Sequence, residues 1–153
     1  MRQQVEEYTS KVFMDCTNKK AEYDGIKIKD DFTISIKTKT GKFDEGGAGK
    51  GQWSLIAYSL LDALTKCSEI EFPFIIDTPG RSLGSENLDR VFNHLFFSAD
   101  RQIILLPNEG ELHPNKGNKN YGPYTAKTYI IQRNFDKENS KLIQMTKEGV
   151  KVE

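Results

Sequence analysis

Phe72-Pro73-Phe74-Ile75-Ile76-Asp77-Thr78-Pro79-Gly80 is a short apolar run that stops on an acid and then turns. An uninterrupted apolar run reads as a strand buried on both faces, and Pro73 and Pro79 bound it. Asp77 therefore falls at the carboxyl edge of a sheet, where open α/β folds gather their ligands. NTP-hydrolysing sheets present a magnesium-linked carboxylate in this way. A strand-ending aspartate that only caps a turn has the same local pattern, so the surrounding sequence must decide.

Downstream, Ser85 is a candidate N-cap, and Leu88, Val91, Phe92, Leu95 and Phe96 recur at helical spacing, predicting a helix to about Ser98. Arg101 to Leu106 is a second apolar strand, stopped by Pro107. Strand, helix and strand make a βαβ unit with a right-handed parallel crossover. The polar segment His113 to Pro123 reads as a loop, and Ala126 to Arg133 and Lys141 to Thr146 as a terminal hairpin.

Upstream, Val5, Tyr8, Val12 and Cys16 carry a helical period from Arg2 to about Lys20. Gly25 to Lys29 and Phe32 to Thr38 are strand candidates, the longer one alternating as a half-exposed antiparallel strand does. Gly46-Gly47-Ala48-Gly49-Lys50-Gly51 then opens a helix from Gln52 to about Lys66. Its apolar positions run almost all round, predicting burial.

The 153 residues suit one domain with a real core, and 22 basic residues balance 22 acidic ones, so net charge advertises neither nucleic acid nor membrane. Cys16 and Cys67 lack metal-ligand spacing and read as small apolar residues in a reducing, cytoplasmic setting. No apolar run has transmembrane length, and the N-terminus is too polar for a signal peptide. His94 and His113 have no partner at metal spacing. Trp53 and Tyr58 read as core aromatics, and Lys116, Lys119, Lys127 and Arg133 as solvated charges.

The glycine-rich turn admits two phosphate readings. A P-loop requires G-x-x-x-x-G-K-[ST], but the first glycine position holds Asp44 and the hydroxyl position holds Gly51. Asp77-Thr78-Pro79-Gly80 imitates the DxxG of small GTPases, yet without a P-loop a GTPase is only a lesser alternative. The second reading is a loop whose amides, with the positive end of the next helix, reach a γ-phosphate held by another subunit. The order of glycine loop, apolar helix, acid-ended strand, helix and strand fits this reading.

In that order the chain resembles the C-terminal lobe of an SMC-like ABC ATPase head, and is most similar to the DNA sulfur modification ATPase DndD. The fold class implied is α/β: the C-terminal half of a P-loop NTPase sheet, with an antiparallel N-terminal segment and a terminal hairpin. Residues 1–20 would end a coiled-coil return helix, 21–147 would form the lobe and 148–153 a tail. Gly47, Ala48, Gly49, Lys50, Gly51 and Gln52 stand where the family has its signature loop. Ile75 to Pro79 stand at Walker B, Arg81 to Glu86, with Gly84 and Ser85, at the D-loop, and Gln102 to Leu112 at the switch strand.

The resemblance implies ATP and Mg²⁺ as cofactors, with Asp77 as the metal ligand and Asp77, Thr78 and Asn108 as the catalytic positions. It also implies an N-terminal P-loop lobe on the same or a partner chain, a head–head homodimer, and DNA as a partner in repair, chromosome maintenance or antiphage modification. The departures are specific. Gly47 replaces the signature serine, Thr78 the glutamate beside Asp77, Gly84 the D-loop aspartate and Asn108 the switch histidine. Asparagine hydrogen-bonds a phosphate or water but cannot change charge near neutral pH. A non-catalytic interaction module that keeps the fold is the alternative.

Overall fold

The computed structural model describes residues 1–68, 73–96, 101–108, 111, 126–134, 139–146 and 149–151. The chain divides into two compact units, residues 1–112 and 113–153.

The first unit opens with helix α1, Arg2–Cys16. Its buried stripe is Val5, Thr9, Phe13 and Cys16. Tyr8, assigned to that stripe by spacing, lies on the exposed side. The chain then forms β1 (Tyr23–Ile28), β2 (Ile34–Thr38) and the two-residue β3 (Phe43–Asp44), an antiparallel sheet in the order β1-β2-β3. No sequence signal anticipates β3; β1 begins two residues before its predicted start and β2 two residues after its own.

The β1–β2 register shifts between Tyr23 and Gly25, where α1 packs close to β1. Gly25 has φ +136°, and a Cβ there would lie 2.2 Å from Ser10 Oγ, so only glycine fits. Ser10 Oγ accepts a hydrogen bond from Ile26 N at 3.0 Å. One turn back along α1, Glu6 accepts from Ile28 N and from Lys27 Nζ, both at 2.9 Å.

Helix α2, Lys50–Ser68, buries Gln52, Leu55, Ile56, Ser59, Asp62, Ala63 and Thr65. Its apolar residues do run round the helix, but burial does not follow them: Leu61 and Leu64 are 43% and 46% exposed. The core joins Phe13, Ile26, Ile28, Ile36, Leu55, Ile56, Ala63, Val91 and Leu95, so α1, α2 and the first sheet close on the following helix.

Strands β4 (Phe74–Asp77) and β5 (Ile103–Leu106) pair in parallel, register Asp77↔Leu106, as the βαβ reading requires. Between them α3, Ser85–Val91, continues as a π-helical turn over Phe92–Phe96. The expected extension to Ser98 passes outside the described residues. His94 is exposed on this turn, in keeping with a solvated histidine. The β4–β5 sheet is not buried on both faces. Ile76 packs inward, whereas Ile75, Ile104 and Leu106 are 66%, 39% and 43% exposed on the face they share with Asp77.

One ion pair fastens this sheet to α2. Buried Asp62 pairs with Lys66 at 2.8 Å and lies 3.6 Å from Arg101, which precedes β5. The Arg101 guanidinium also stacks 5.1 Å from the centroid of the Phe74 ring.

The second unit holds β6 (Thr128–Asn134), β7 (Asn139–Thr146) and β8 (Gly149–Lys151), an antiparallel sheet in that order. The terminal hairpin forms with Ile130↔Ile143 in register, and its first strand begins two residues later than expected. Residues 148–153, read as a tail, contain the third strand. The predicted loop, residues 113–123, lies outside the described residues.

Candidate functional site

Asp77 ends β4, exposed at the carboxyl edge of the parallel pair, with Leu106 beside it on β5. A strand cannot continue past it, because Thr78 adopts φ +48°. Left-handed backbone is unfavourable for a β-branched residue, and Pro79 further restricts the residue before it. The conformation is held from both sides. Thr78 N donates to Leu106 O at 3.0 Å, and Thr78 O accepts from Arg81 N at 3.2 Å. Backbone strain of this kind, of order 1–3 kcal/mol, concentrates at functional sites and turns the chain sharply beneath the carboxylate.

The turn after Asp77 is anchored through Pro79, which is fully buried and whose carbonyl accepts from Tyr58 Oη at 3.0 Å. Burial, with the charge of Glu111 adding to it, pushes the Tyr58 phenol above its ordinary range, so it stays a donor. Tyr58 also meets Phe96 edge-on, ring centroids 5.8 Å apart. Tyr58, read from the sequence as a core aromatic, is half-buried and braces the Asp77 turn.

The glycine loop reaches the same turn. A Cβ on Gly51, in the first turn of α2, would lie 2.7 Å from Ser82 O. The glycine therefore sets how closely α2 approaches the Arg81–Gly84 segment. Gly47, Gly49 and Lys50 are exposed, and Ala48 is half-buried against the core. Gly46 N and Gly47 N both donate to Asp44 Oδ1, at 3.0 and 2.5 Å. The chain's own carboxylate thus satisfies both amides and closes the turn that precedes α2. Gly84 is the N-cap of α3, with Ser85 its first residue, both exposed. Ser85, read as a candidate N-cap, stands one place inside the helix.

Gln52 is arranged differently from its loop neighbours. It is buried, and its Oε1 accepts from Thr17 Oγ1 at 2.9 Å. Asn108 follows β5 and is exposed; its N donates to Glu111 Oε2 at 3.0 Å, and its carbonyl accepts from Glu111 N at 2.9 Å. The Glu111 side chain also borders Gly80, where a Cβ would lie 3.4 Å from Glu111 Cγ. Glu111, seen in the sequence only as part of an acidic tail, thus links the β5 exit to the Asp77 turn. Its spacing of three from Asn108 is the signal that could have found it.

The contacts thus join Gly51 to the Ser82 carbonyl in the segment after Asp77, and Asn108, through Glu111, to Gly80. An exposed carboxylate suits a hard cation such as Mg²⁺, which takes oxygen ligands and keeps much of its water. Among the described residues no group of three or more His, Cys, Asp or Glu side chains gathers to cage a metal.

No protein-family model matches the chain. No curated protein matches it by sequence. Solved structures do match in fold. One, from work on ATP-driven dimerization and DNA-stimulated activation of SMC ATPases, superposes with a TM-score of 0.63 at 14% identity, covering 96% of this chain and 86% of that one. The Smc head domain with a coiled coil and joint from Pyrococcus yayanosii gives 0.67 at 14% identity, over 96% of this chain and 28% of that one. An Smc head bound to the C-winged helix domain of ScpA gives 0.68 at 15% identity, over 96% and 44%. The fold is that of an SMC-like head lobe, mixed α/β with small sheets. The chain spans less than half of each of the two Smc head chains. Among the described residues no helix is long and apolar enough to cross a membrane.

Proposed function

We propose that this chain is the C-terminal lobe of an SMC-like ABC ATPase head. Its glycine loop and the N-terminus of α2 meet the triphosphate bound by a second head, and Asp77 meets the Mg²⁺ of a nucleotide held by an N-terminal P-loop lobe. The observation that carries this reading is the approach of Gly51 to the Ser82 carbonyl, which puts the glycine-loop helix against the turn that follows Asp77. The exposed apolar face of Ile75, Ile104 and Leu106, ending at Asp77, supports a covering lobe on that side.

The bound metal would supply charge stabilisation for phosphoryl transfer, while this chain orients and neutralises. Thr78 provides no carboxylate beside Asp77, so any general base lies elsewhere in the assembly. That substitution also favours the second reading, an interaction module that keeps the fold without turnover. DNA is the proposed partner, in repair, chromosome maintenance or DndD-like antiphage modification, and the proposed compartment is the cytoplasm. The test is Asp77→Ala in the assembly with its P-loop lobe. Loss of a metal-linked carboxylate is expected to slow ATP hydrolysis about 100-fold or more. Unchanged hydrolysis would overturn the role of Asp77, and no hydrolysis by the unsubstituted assembly would favour the module.

A further inference from the structure

We infer that Thr17 and Asn18, where α1 ends, form a positioning junction for the glycine loop, and that Gln52 acts through this junction; the inference rests on the proposed function. Thr17 is fully buried, and every polar group it offers to the core is used. Its hydroxyl donates to Gln52 Oε1 at 2.9 Å and accepts from Lys19 N at 3.1 Å. Its amide donates to Phe13 O at 2.8 Å, closing α1, and its carbonyl accepts from Arg90 Nη1 at 2.7 Å. Asn18 N donates to the buried Asn87 Oδ1 at 3.0 Å. Arg90 is itself braced by Glu86 at 2.5 Å, one turn earlier on α3.

Two consecutive residues thereby fasten the end of α1 to the first turn of α2 and to the middle of α3. A satisfied buried polar network has one good arrangement, and removing one member strands its partner without water. Gln52 directly follows Gly51, whose backbone abuts Ser82 O. A displacement of α1 therefore passes through Thr17 and Gln52 to the contact between the glycine loop and the Asp77 turn. The Gln52 carbonyl oxygen, committed to Thr17, positions the loop; the phosphate contacts fall to its exposed neighbours.

The experiment compares wild type, Thr17→Val and Thr17→Ser by amide hydrogen exchange on this chain, and by ATP-driven pairing in the assembly with its P-loop lobe. In Thr17→Val, exchange over residues 50–56 is expected to rise about 5-fold, the factor for one lost buried hydrogen bond, with exchange in β6 and β7 unchanged. Pairing should weaken by a similar factor, while nucleotide affinity of the unpaired head stays at the wild-type value. Thr17→Ser, which keeps the hydroxyl, should restore both. Unchanged exchange would overturn the junction. Raised exchange with wild-type pairing would overturn its positioning role. Absence of ATP-driven pairing in wild type would sink the proposed function instead, with the exchange result still deciding the junction. Should Thr17→Val not fold, Thr17→Ala, which also removes the hydroxyl, carries the same comparison.

Discussion

Gly51→Ala is the substitution that probes the glycine-loop contact most sharply. A Cβ would be placed 2.7 Å from Ser82 O, a backbone atom that cannot rotate away as a side chain would. Forcing a methyl into a closed contact of this kind costs about 1–3 kcal/mol. Alanine recovers up to about 1 kcal/mol of helix propensity, less in a first turn where hydrogen bonds are incomplete. The net expectation is a destabilisation of about 1–2 kcal/mol, which in a cooperative unit of this size lowers Tm by roughly 4–8 °C per kcal/mol. Thermal unfolding followed by circular dichroism reads this directly. Gly46→Ala is the matched control, since nothing lies within 4 Å of a Cβ there and its φ is ordinary. A Gly51→Ala variant as stable as wild type, or more stable, would refute the reasoning, because propensity alone would then decide.

Other outcomes follow from features elsewhere in the first unit. Phe32 is exposed and holds φ +65° in the turn between β1 and β2, so Phe32→Gly should stabilise by about 1 kcal/mol in urea denaturation, an unchanged midpoint counting against strain there. Burial of Glu6 opposes its charge, yet Lys27, the Ile28 amide and Arg2 outweigh it and hold its carboxyl below the usual value of 4.5. A depressed folded-state value contributes stability that is full above the unfolded pKa and lost as pH falls through the folded one. Glu6→Gln should therefore cost about 1–2 kcal/mol near pH 7 and make the decline below about pH 4.5 shallower; parallel acid limbs would contradict this. Burial, then the charge of Asp15, pushes the Cys16 thiol up to about 11, whereas Cys67 is half-buried, so iodoacetamide should label native protein at Cys67 first by mass spectrometry.

The element boundaries around the candidate site are legible in the sequence where a chain break carries a clear signal. The β4 strand stops on Asp77 because Pro79 and a turn follow, and the glycine loop ends where α2 begins, so order and spacing located both. What spacing could not supply was depth. Leu61 and Leu64 carry the apolar signal of buried residues yet lie exposed, as do Ile75 and Ile104, because apolar atoms supply much of any folded surface and a period marks a face without fixing its depth. Thr78's left-handed backbone leaves no trace in composition, since threonine is among the last residues expected there. Gln52 was placed with its loop neighbours by motif, but its partner Thr17 lies 35 positions away, across a contact that only the packing of α1 on α2 creates. The β3 and β8 strands, two and three residues long, are too short to carry a period of two.

Light-scattering mass of the chain assembled with its P-loop lobe, with and without ATP and Mg²⁺, tests the central claim most directly. ATP should double the mass, and an exposed bulk at the loop, Gly47→Trp, should abolish that doubling while leaving nucleotide binding to the single head intact. A mass that ATP leaves unchanged, or a Gly47→Trp assembly that pairs as wild type does, would contradict the assignment of this glycine loop to a second head's nucleotide.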